Sequence, residues 1–126
     1  IGGIIMEKIK VTSVGYDLSE IAQELEIEFP EYNLKIEIIN KPVRNDIFSM
    51  SPEIASIIVS GLSVFSLLIN ALLVYISSRK SGTIVIVGSS GRKIEIPKDT
   101  PKEKVNEFIA LAQKIDSIDH LEVNSW

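Results

Sequence analysis

Between Glu53 and Arg79 the chain runs for 25 residues without a charged side chain. Read as one helix, residues 54–78 would be about 37 Å long. At about 100° per residue, Ser56, Ser60, Ser63, Ser66, Asn70, Ser77 and Ser78 fall on one stripe. Ile, Leu, Val, Phe and Ala fill nearly all the rest of the circle. A helix lying on one sheet face needs an apolar arc of only about 100°. The other runs that read as strands have about six residues, or roughly 20 Å. The spacing therefore predicts a helix over 54–78 that overhangs its own sheet, with more apolar surface than that sheet can cover.

Around this run the chain reads as one small α/β unit. Alternation predicts strands over 8–13, 34–39, 83–87 and 92–96, with a short last strand over 118–123. Asp17 and Glu20 have capping-box spacing ahead of Leu18, Ile21, Ala22, Leu25 and Phe29, and Pro30 ends that helix. Thr100-Pro101-Lys102-Glu103 starts another, whose apolar face is Val105, Phe108, Ile109, Ala112 and Ile115. The order is β-α-β-α-β-β-α, a mixed four-stranded sheet with a long apolar central helix. The domain is expected over 6–123, with 1–5 an upstream extension or cloning remnant ahead of Met6.

Composition narrows the chemistry. The chain has 13 Lys and Arg against 17 Asp and Glu, a net charge of -4, which argues against a nucleic-acid partner. It contains no cysteine, which removes disulfides, thiolate metal sites and Cys nucleophiles. His120 is the one histidine, flanked by Asp116 and Asp119, and no motif sets a serine nucleophile beside it. Gly88-Ser-Ser-Gly-Arg-Lys93 is too short between its glycines for a phosphate loop and leads into a strand, so it reads as a hairpin turn. Glu20, Glu24 and Glu28 form a solvated stripe, and residues 40–46 a polar loop. The expectation is a protein that is not an enzyme, with no catalytic, cofactor or metal residues.

Two readings of 54–78 stay open. In the favoured one the helix self-associates in a cytoplasmic homo-oligomer through Ile58, Leu62, Phe65, Leu68, Ile69, Leu72 and Ile76. Ser56, Ser60, Gly61 and Ser63 would then allow close helix approach. In the other the helix crosses a membrane, anchored by Tyr75, Arg79 and Lys80. Against the span, each flanking half is too small to bury a good core alone.

The apolar helix ending in Ser77-Ser78-Arg79-Lys80, the strand over 83–87, the Ser-Gly-Arg-Lys turn and the last amphipathic helix form a pattern. Over residues 6–116 it resembles the effector-associated constant component domains of prokaryotic conflict systems. That resemblance implies a non-catalytic accessory module with an effector protein as partner, and no catalytic residues to carry over.

Overall fold

In a computed structural model, the structure describes residues 7–28, 30, 34–40, 54–61, 64–115 and 117–126. The elements are β1 (Glu7–Val14), α1 (Leu18–Glu28), β2 (Lys35–Asn40), β3 (Ile54–Gly61), α2 (Val64–Ser77), β4 (Thr83–Gly88), β5 (Lys93–Pro97), α3 (Lys102–Ile115) and β6 (Ile118–Asn124). Among the described residues the fold is α+β, with three helices and one mixed six-stranded sheet.

The long central helix does not form. Its first third is the strand β3, and the helix proper is α2, with 14 residues. Ile54, Ile57, Ile58 and Val59 are β-branched, which favours a pleated surface over a helix. Leu67, Leu68, Ala71, Leu72 and Leu73 are good helix formers. At about 21 Å, α2 matches the sheet and leaves no overhang. No helix among the described residues is long and apolar enough to cross a membrane.

Strand order is β2-β3-β1-β6-β4-β5, six strands instead of the expected four. The four strands read from the alternation do share this sheet. β3 was not expected as a strand, and the short last strand expected over 118–123 joins the sheet as β6; each lies beside β1. β1 and β6 are parallel, and every other neighbouring pair is antiparallel. The β4–β5 hairpin closes through Gly88-Ser-Ser-Gly91: Gly91 N donates to Gly88 O at 3.0 Å, and Gly91 has φ +92°. That left-handed backbone suits glycine.

All three helices lie on one face. α1 packs on β3 and α2, α2 spans β1, β3 and β4, and α3 sits on β5. Beneath them the sheet contributes Val11, Ile57, Val59, Leu121, Ile84 and Ile86. From above come Ile21, Leu25, Leu68, Leu72, Val105 and Ile109. Asp17 caps α1, its Oδ1 accepting from Ser19 N at 2.9 Å. Gly15 turns the chain from β1 toward α1 at φ +95°, where a Cβ would overlap the Ser125 side chain.

This placement changes the meaning of the apolar residues in 54–78. Phe65, Leu68, Ile69, Leu72 and Ile76 are at most 3% exposed, inside the core of their own chain. Ile58 is a strand residue, half-buried on the helix-free face. Ser56, Ser60 and Gly61 also lie on β3, so they bring no helix close to another. Leu62 and Ser63 lie outside the described residues.

Candidate functional site

Among the described residues no helix packs on the opposite sheet face, although Ser56, Val85, Val87 and Asn124 are buried there. Because side chains alternate along a strand, one row crosses all six strands there: Glu37, Ile58, Lys10, His120, Val87 and Lys93 are successive cross-strand neighbours. A second row holds Thr12, Glu122, Val85 and Glu95. Val85 and Val87 are buried among their polar neighbours, so this face carries no broad apolar patch at its centre.

His120 sits near the middle of the face. A register shift at Val87/Gly88 bulges β6 at Asp119. Asp119 Oδ2 lies 2.6 Å from His120 Nδ1, and Glu122 Oε2 lies 3.9 Å from Nε2. The imidazole is thus held between two carboxylates, with Lys10 and Val87 as its cross-strand neighbours. Asp116 lies outside the described residues. No group of three or more His, Asp or Glu side chains among the described residues is placed to hold a metal ion.

Glu20, one of the three stripe carboxylates, has a structural partner: it pairs with Arg79 at the end of α2. The Arg79 guanidinium stacks 3.9 Å above the Tyr75 ring, and Tyr16 meets Tyr75 edge-on at 5.6 Å. Tyr16 Oη donates to Ser81 O, so the cluster joins the start of α1 to the exit of α2. Burial pushes the Tyr75 phenol above its ordinary value of 10.0, against the opposing effect of Arg79. Glu24 is half-buried, and the Glu28 side chain and residues 41–46 lie outside the described residues.

Two concavities lie on the helix side. A cavity of about 300 Å³ between α3 and the β4–β5 hairpin is lined by Ile86, Ile94, Leu111 and Ala112, with Arg92 from the turn and Lys93 at the start of β5. The turn runs into β5, so no helix N-terminus faces that space. A groove of about 490 Å³ separates α2 from α3 and exposes Asn70 and Ser77 of the small polar stripe. Both residues bond back to their own helix, Asn70 Nδ2 to Ser66 O and Ser77 Oγ to Val74 O.

The sheet edges are the feature that the sequence analysis missed. β2 and β5 are the outermost strands, and both carry Lys-Ile-Glu-Ile, at 35–38 and 93–96. The repeated tetrapeptide was visible in the sequence, but nothing local marks a strand as an edge. The two edges differ. α3 seats on β5, Ile96 is fully buried, and the strand ends at Pro97, which has no N–H to offer. β2 lies beyond the strands on which the helices chiefly rest, with Ile38 47% and Ile39 38% exposed.

In comparisons with protein-family models, curated proteins and solved structures, the chain matches none.

Proposed function

We propose that the chain is a non-catalytic interaction module that self-associates, with the contact at the β2 edge of its sheet. The observation that carries this reading is the exposed β2 edge, unpaired among the described residues and rich in isoleucine. An edge strand presents a row of N–H and C=O groups that another strand can satisfy. Natural edges are commonly blunted by proline or cover, and β5 ends at Pro97. β2 instead exposes aliphatic side chains.

The magnitudes favour a weak, reversible complex. Leu34, Ile36 and Ile38 are partly exposed, and burying them in two copies contributes on the order of 3–6 kcal/mol. Each added main-chain hydrogen bond contributes about 0.5–1.5 kcal/mol. Association costs on the order of 4–15 kcal/mol. Gain and cost are of the same order, so the expected complex is weak and reversible. The pattern resemblance to effector-associated domains points the same way, toward an accessory module that works by contact with an effector.

Sedimentation velocity in detergent-free buffer tests this, from about 10 μM to about 1 mM. A sedimentation coefficient that rises with concentration toward that of a dimer supports the reading. A monomer throughout that range overturns it.

A further inference from the structure

We infer that the β2 edge pairs antiparallel with β2 of a second copy, about a two-fold axis through Ile36. This rests on the proposed self-association and specifies its partner and register. The two faces of β2 differ in chemistry. Ile36 and Ile38 neighbour Val59 and Ile57, which lie under the helices. Lys35 and Glu37 neighbour Ser60 and Ile58 on the helix-free face, and both are exposed. Neither Lys35 nor Glu37 has an ion-pair partner among the described residues.

A continuous sheet through two copies must keep apolar residues with apolar residues. A slip of one residue would turn Lys35 toward the helix side. Only symmetric registers about single residues keep the faces matched, and charge chooses among them. About Ile36, Lys35 faces Glu37 of the second copy, Glu37 faces its Lys35, and Leu34 faces its Ile38. About Lys35 or about Glu37, a charge would face its own copy. About Ile38, Glu37 would face Ile39 and Lys35 would have no partner on the opposite strand of β2. Opposite charges directly across an antiparallel pair attract, and like charges there destabilise. The order Lys-Ile-Glu is thus self-complementary in one register.

The same order in β5 would permit β2 to meet β5 of another copy, a head-to-tail contact that builds rings or open filaments of more than two copies. The terminal Pro97, which has no N–H to offer, argues against β5 as the partner edge. A β2–β2 contact is isologous and closes at two copies.

The test is a charge swap read by sedimentation, with thermal melts confirming that each variant is folded. Lys35→Glu alone and Glu37→Lys alone should each weaken dimerisation about tenfold or more. The double variant Lys35→Glu/Glu37→Lys should dimerise like the parent. Mixing the two single variants should produce heterodimers at parental affinity, because each strand then carries one sign. A parent that dimerises while all variants behave alike would overturn this register and leave the proposed function standing. Growth beyond dimers that Glu95→Lys suppresses would overturn it in favour of β2–β5 contact. A parent that never associates would remove the self-association reading itself.

Discussion

Leu72 decides between packing and interface for the apolar residues of α2. It is fully buried in the middle of the helix, between the sheet below and its own chain's core around it. Leu72→Ala removes three carbon atoms from a dry, close-packed site. Such truncations cost about 2–5 kcal/mol, depending on how far the surroundings collapse. That is a large part of the 5–15 kcal/mol or so that stabilises a domain of this size. With a urea slope of about 2 kcal/mol per molar, the unfolding midpoint should fall by roughly 1–2.5 M. Val74→Ala is the control, because Val74 lies two residues along the same helix and is 51% exposed. It should change stability by less than about 0.5 kcal/mol. The assay is urea unfolding followed by far-UV circular dichroism, together with sedimentation of the same samples. If Leu72→Ala unfolded like the parent but lost association, α2 would be an interface, and its assignment to the core would be wrong.

The cluster at the exit of α2 offers further tests. Gly82→Ala should destabilise by about 1–3 kcal/mol, since its new Cβ would sit 3.0 Å from Ile76 Cβ and 3.2 Å from Tyr16 Oη; a higher melting temperature would show that this site can relax. A double-mutant cycle on Glu20→Ala and Arg79→Ala should give a coupling of only about 0.2–1 kcal/mol, shrinking with added salt, because both side chains are partly exposed. Arg79→Ala alone should cost more than Glu20→Ala alone, as it also loses the contact with the Tyr75 ring. The raised Tyr75 pKa means that the unfolded chain loses this proton first, so stability should decline as pH climbs past the ordinary value of 10.0 toward the higher folded value. Tyr75→Phe should flatten that decline in urea titrations; an unchanged alkaline slope would assign it to other groups.

Local signals in the sequence sufficed where each residue's role depends on its near neighbours. The alternation of Ile9 and Val11, the Asp17 cap and the turn from Gly88 to Gly91 all appear where they were expected. They depend on backbone geometry within a few residues. The run 54–78 defeated the same reasoning for a physical reason. With no charge to mark a wet side, its apolar residues satisfy a period of 2 as readily as one of 3.6. Ser56 and Ser60, four apart, share a face in either structure. Where the strand stops and the helix starts is settled by what each half packs on: β3 fills the slot between β1 and β2, and α2 covers the sheet across β1, β3 and β4. The candidate interface has the same origin. Lys35-Ile36-Glu37-Ile38 and Lys93-Ile94-Glu95-Ile96 are one tetrapeptide in the sequence. The tertiary structure made them unequal, because α3 packs on the face of β5 and Pro97 ends it, while no comparable helix contact or proline marks β2 among the described residues. Whether a strand's hydrogen-bonding groups are free depends on which segments, distant in the chain, come to lie beside it.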